Sequence, residues 1–160
     1  MKLTLLVFAL TLIGCGGGSS NSAPSTSMIP AVQPVHAATG FTNASLSGTY
    51  AFGISGTVAG VLDAGTGVVA LDGNGNISAG DETENIGGTL CHGTFSGTYS
   101  VNSNGTGTAT ITTTEDAASQ ARGCGPGGTG SANLALANGG SQLVLANQNS
   151  NVTLITAVKQ

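Results

Sequence analysis

The chain reads as an all-β protein: an antiparallel up-and-down meander of about eight strands, closed into a barrel. Three observations predict this. Apolar and polar residues alternate with period two from residue 46 onward, Asn/Gly-rich turns punctuate the alternation, and no window carries a helical stripe. Composition agrees, because charged residues are only 6% while Thr, Val and Ile are abundant, the reverse of a disordered chain. The 27 glycines suit tight turns and closely packed faces.

The N-terminus is read first, because it is not part of that fold. Lys2 precedes an apolar run of eleven residues, 3–13, which is followed by Gly14 and Cys15. The run is too short to span a bilayer, which takes about 20 apolar residues. Leu12-Ile13-Gly14-Cys15 resembles the lipobox of bacterial lipoproteins. That resemblance implies cleavage before Cys15 and acylation of its thiol, palmitate among the chains. It also implies export and attachment to a lipid bilayer. Gly16, rather than Asp, after the cysteine resembles lipoproteins released to the outer membrane rather than kept at the inner one.

Residues 15–43 then form a tether, with Gly16-Gly17-Gly18-Ser19-Ser20 followed by Pro24, Pro30 and Pro34 among small polar residues. His36 falls in it. Residues 44–160 form a single β-domain. Without residues 1–14 the chain keeps 146 residues, with Arg122 and Lys159 against seven carboxylates. Its side-chain charge is then −5, which leaves nothing to neutralise phosphates and excludes a nucleic-acid partner.

Strand by strand, Leu46, Tyr50, Phe52 and Ile54 share one face opposite Ser47, Thr49, Ala51 and Ser55. Strands near 66–71 and 77–82 flank Asp72-Gly73-Asn74-Gly75-Asn76. Phe95, Tyr99 and Val101 alternate with Thr94, Ser96, Thr98 and Ser100, and Asn102-Ser103-Asn104-Gly105 turns into a row of alternating threonines, 106 to 114. Leu134/Leu136, Leu143/Leu145 and Val152/Leu154 mark three last strands, joined by Asn138-Gly139-Gly140-Ser141 and Asn147-Gln148-Asn149-Ser150. Residues 115–130 break the rhythm and read as an irregular loop. Short connections pair each strand with the next, and closure of the lipocalin or avidin kind removes exposed edges. A two-sheet sandwich is the competing arrangement.

Four of these segments carry a family resemblance. Ser47-Gly48-Thr49-Tyr50-Ala51-Phe52, Asp72-Gly73-Asn74-Gly75-Asn76-Ile77, Gly97-Thr98-Tyr99-Ser100-Val101 and Gly105-Thr106-Gly107-Thr108-Ala109 resemble the shared pattern of a family of exported, β-rich acidobacterial proteins. The resemblance covers residues 46–112 and implies the fold and the export. It brings no catalytic residue across, because the pattern consists of strands and turns.

Candidate chemistry is sparse. Once Cys15 is lipidated, Cys91 and Cys124 remain as a pair in an oxidising compartment and are expected to form a disulfide. A metal at Cys91, His92 and Cys124 lacks a fourth soft ligand. Asp72-x-Asn74-x-Asn76 opens like a calcium loop, but Ile77 and Thr83 stand where Gly and a bidentate Glu belong, so a hairpin turn explains it. Asp81, Glu82 and Glu84 are weak calcium candidates; alternation puts the two glutamates on one face, read as a solvated strand end. Cys91 and His92 face opposite sides and make no nucleophile pair, and no G-x-S-x-G elbow exists. The sequons at Asn43, Asn76, Asn104 and Asn151 carry no weight in a bacterial chain.

No catalytic residue and no cofactor are expected. The expected inward set is modest: Tyr50, Phe52, Ile54, Val69, Leu71, Phe95, Tyr99, Ile111 and the C-terminal leucines, with no Trp. So thin a core leaves an interior that is either narrow and glycine-lined or partly empty, the second fit for a small apolar ligand. The function expected is therefore a lipid-anchored binding or structural module. The alternative is a protein-interaction lipoprotein, such as a hydrolase inhibitor, docking through the 115–130 loop.

Overall fold

The computed structural model describes residues 40–148 and 151–160, so the lipobox with Cys15, and the tether up to residue 39 with His36, lie outside the described residues. Eight strands run in chain order: β1 (Ser47–Val58), β2 (Val61–Asp72), β3 (Asn76–Ile86), β4 (Thr89–Val101), β5 (Thr106–Glu115), β6 (Gly127–Ala137), β7 (Gln142–Asn147) and β8 (Val152–Lys159). Each pairs antiparallel with the next, and β1 also pairs with β8, from Tyr50 opposite Lys159 to Thr57 opposite Val152. The barrel is therefore closed, and the sandwich alternative falls away.

The period-two pattern does what it predicts. Tyr50, Phe52 and Ile54 of β1, Val69 and Leu71 of β2, and Tyr99 of β4 are buried, with Phe95 and Ile111 packed against them. The threonines of β5 at 106, 108, 110, 112 and 114 all face outward and are exposed. The threonine row thus belongs to the outer wall, while the apolar set faces the interior. One expectation fails in β8. Thr153 and Ala157 are buried and Ile155 packs against the core, while Val152 and Leu154 are 74% and 46% exposed. The pairing of Ile54 with Ile155 fixes that register, and alternation then turns Val152 and Leu154 outward.

Two strands are longer than their patterns suggested. β2 begins at Val61 because Ala59-Gly60, with φ of 50° and 82°, makes a two-residue hairpin turn. β3 reaches Ile86, and Gly87-Gly88, both at positive φ, turn the chain into β4. At Asp72 the hairpin reading holds. Its carboxylate accepts from Asn74 N–H at 2.7 Å, Asn76 N–H at 2.9 Å and the Asn76 side-chain amide at 2.7 Å. Those bonds, the Asn76 side chain's first, hold the Asp72 carboxyl at about 2, below its usual range.

The irregular 115–130 loop is a further correction. β5 runs to Glu115, a short helix α1 (Ala117–Ala121) follows, and β6 already starts at Gly127. Asp116 caps α1, accepting from Ser119 N–H at 2.6 Å. The domain also starts earlier than residue 44. Phe41 N–H bonds to Ser103 O at 3.0 Å, and the Asn43 side-chain oxygen accepts from Val101 N–H at 2.8 Å.

Those residues help close one end of the barrel. Leu46 and Tyr50 are fully buried there, and the 3-10 turn Asn138–Gly140 lies against Ser45. The turns at 59–60 and 87–88, the α1 segment, the end of β7 and the start of β8 lie at the opposite end, called the rim below.

Candidate functional site

A cavity of about 440 Å³ occupies the barrel from its middle to the rim. Its size falls within the range of small-molecule sites. The deep wall is apolar, including Phe52, Val69, Phe95, Ile111 and Leu143. Phe52 and Phe95 meet edge to face, ring centroids 5.8 Å apart.

Glycines make room for these side chains. A Cβ on Gly80 would fall within the ring of Phe95, and one on Gly67 would strike Phe52 and the Asp81 carbonyl. Toward the rim the same device houses glutamates. A Cβ on Gly65 would lie 2.8 Å from Glu84 Cγ, and one on Gly93 would lie 3.2 Å from Glu115 Oε1.

Four carboxylates line the upper cavity: Asp63 from β2, Glu82 and Glu84 from β3, and Glu115 from β5. Glu82 and Glu115 both pair with Gly93 of β4, and Glu84 pairs with Gly65 of β2. The shared face of Glu82 and Glu84 was legible in the sequence, but the solvated strand end was not the outcome. A β-bulge shifts the register of β3 between Ile77 and Gly80, so residues 77, 80, 82 and 84 all face in. Asp81 is left outside. The candidate set of Asp81, Glu82 and Glu84 is thus split across the wall, and no group of described residues is arranged to hold a metal ion.

Asp63 and Glu115 were not singled out by the sequence. Each is buried, with 4% and 9% exposure, and neither Asp63 Oδ1 nor Glu115 Oε2 has a hydrogen-bond partner. Thr153 Oγ1, also on the cavity wall, is buried and unpartnered too. Leaving such groups unsatisfied costs about 1–3 kcal/mol each. Burial, and then the Glu115, Asp63 and Asp81 charges, push Glu82 up to about 7 despite a hydrogen bond from Thr113. Burial together with Glu82, Asp63 and Glu115 pushes Glu84 up to about 8. Burial alone raises Asp63, and burial with Asp116 beside it raises Glu115.

Cys91 and Cys124 form a disulfide, with S–S 2.07 Å. Cys124 and the glycines after it line the cavity, so the bridge pins part of the rim to β4. Arg122 adds to this hold, donating from Nε to Leu90 O at 2.8 Å and from its guanidinium Nη2 to Ser119 Oγ at 2.9 Å. Ser119 Oγ in turn accepts from His92 N–H at 2.8 Å. His92 lies on the outer face between Asp81 and Asp116, both 3.2 Å from its ring nitrogens. This Asp–His–Asp group ties α1 to β3 and β4.

Neither a family model, nor a curated protein, nor a solved structure matches the chain.

Proposed function

We propose that this chain is an exported, lipid-anchored protein whose barrel binds a single small molecule in its interior. The observation that carries the reading is the closed-ended cavity of about 440 Å³, whose wall holds buried polar atoms without partners. A cavity of that kind is completed by a ligand that supplies the missing bonds.

Anchoring rests on Leu12-Ile13-Gly14-Cys15 and on Gly16 as the residue after it, which favours the outer membrane. The described domain begins at the closed end, where Phe41 N–H bonds to Ser103 O. Docking through residues 115–130 draws less support, since the disulfide, Arg122 and Ser119 hold that segment against β4.

Native mass spectrometry of the full chain released from its own cells tests the binding. A non-covalent adduct of one mass is expected, and Ala132→Phe, which fills the cavity from the buried Ala132, abolishes it. Identical spectra for parent and variant would overturn the reading. Labelled palmitate incorporated into the parent but not into Cys15→Ala checks the anchor separately.

A further inference from the structure

We propose that the interior ligand is a small organic cation, an amine that is charged at neutral pH and carries an apolar body. This rests on the interior-binding reading above and adds the chemistry of the occupant.

Three features of the cavity point to it. Asp63, Glu82, Glu84 and Glu115 converge from β2, β3 and β5, and no Lys, Arg or His is among the lining residues. The described basic groups are engaged or placed elsewhere: Arg122 bonds to Leu90 and Ser119, His92 lies on the outer face, and Lys159 sits at the closed end beside Gly48. The acids therefore have no counter-ion of the protein's own. Second, Asp63 Oδ1, Glu115 Oε2 and Thr153 Oγ1, on residues that line this space, are buried without a hydrogen-bond partner. An ammonium group is donor-only and complements acceptor-only carboxylates. Third, the wall below the acids is apolar, with Phe52, Phe95 and Ile111, which suits a hydrocarbon body beneath a charged head.

Other ligand classes fit worse. An anion meets four carboxyl groups and no basic side chain. A purely apolar guest leaves the orphaned oxygens as they are. A metal ion finds no set of described side chains arranged to hold it.

The electrostatics give the binding a direction with pH. Facing Glu84 are Asp63 on β2, Glu82 on its own strand and Glu115 on β5, while its β4 neighbour Cys91 is uncharged in the disulfide. Glu82 has the same carboxylate neighbours, with Asp81 beyond the wall. None of these neighbours is basic, so a bound cation favours the ionised glutamates that burial and mutual repulsion disfavour in the empty barrel. Binding then releases protons, and affinity rises between about pH 6 and 9, where an alkyl amine stays charged.

The test is calorimetric titration of the full chain in lipid discs, with protein-free discs as blank. Three isosteric probes are compared: cyclohexylmethylammonium, cyclohexylmethanol and cyclohexanecarboxylate. The expected result is one ammonium per barrel, bound about tenfold more tightly than either analogue, with affinity rising with pH. Glu82→Gln with Glu84→Gln should weaken the ammonium by about tenfold and leave the alcohol unchanged. Should that pair fail to fold, Glu115→Gln and the parent's pH profile read the same dependence. Alcohol or carboxylate binding as tightly as the ammonium would overturn the cationic class and leave interior binding standing. Binding of none of the three would overturn both. Calcium alone raising the unfolding midpoint and displacing the ammonium would overturn it in favour of a metal site.

Discussion

Tyr99 seals the closed end of the barrel onto Leu46: its hydroxyl donates to the Leu46 carbonyl at 2.6 Å. The same oxygen accepts from Gly73 N–H at 3.0 Å, so one phenol joins β4, the β2–β3 turn and the chain entering β1. Tyr50 does the equivalent across the barrel, donating to Gly140 O at 2.7 Å. Tyr99→Phe keeps the ring and strands the buried Leu46 carbonyl. It should cost about 1–3 kcal/mol in urea unfolding. An unchanged midpoint would mean that packing alone closes this end.

The inward glycines make a second prediction, in which fit and not flexibility decides. Gly80→Ala places a methyl against the Phe95 ring, and Gly67→Ala drives one into Phe52 and a backbone carbonyl. Each should destabilise by about 1–3 kcal/mol. Gly130 also lines the cavity, but a Cβ there meets nothing within 4 Å. Gly130→Ala should therefore be neutral, or stabilise by about 0.5 kcal/mol through the unfolded chain. Equal losses at all three positions would show that the cavity is not open beside Gly130.

The third prediction concerns pH. Folding raises Glu82 to about 7 and Glu84 to about 8 from 4.5. Between those limits the folded barrel holds protons that the unfolded chain has released, so stability falls as pH rises from about 5 to 8. Asp72 works in the opposite sense. Its carboxyl is lowered to about 2, so its contribution is lost as pH falls below 3.8. The thermal midpoint of the empty barrel should thus peak on the acid side, near pH 4–5 by this linkage. Glu84→Gln should raise the midpoint at about pH 8 and flatten the decline. A midpoint that climbs from pH 5 to 8 would contradict the burial of these acids.

The disulfide supplies the fourth. Cys91 and Cys124 are 33 residues apart, and the chain-entropy model values such a bridge at about 3–4 kcal/mol. Reduction should lower stability by that amount. Amide exchange should then quicken in residues 122–125 and in Leu90, and stay slow at Tyr50 and Tyr99. Uniform loosening would mean that the bridge supports the whole barrel and not only its rim.

Much of this architecture was legible because its signals are local. Alternation in 47–54 and 94–101, the threonine row, and the Asp72–Asn76 turn each announce themselves within a few residues. The β1–β2 hairpin did not, since Ala59 takes the φ of 50° where Asn or Asp would have flagged the turn. The acidic interior was hidden for a different reason. Alternation tells which residues share a face but not which face is inside, and carboxylates are assumed to be outside. Counting from Ile77 would even put Glu82 and Glu84 outward, and only the bulge after Ile77 reverses it. Asp63 was within reach: it has the parity of Gly65, Gly67, Val69 and Leu71. Glu115 likewise follows Ala109, Ile111 and Thr113.

An even number of strands brings a meander back to the end from which it set out. Tyr50 pairs with Lys159, and Gln160 N–H bonds to Thr49 O at 2.9 Å, so the end of β8 lies beside the start of β1. A short peptide from residue 160 to residue 46 would cross that gap without touching the rim. The Gly87-Gly88 turn could then be cut to give new termini. Such a circular permutant would keep every strand pair, and it would place the entry and exit of the chain at the end where the cavity opens.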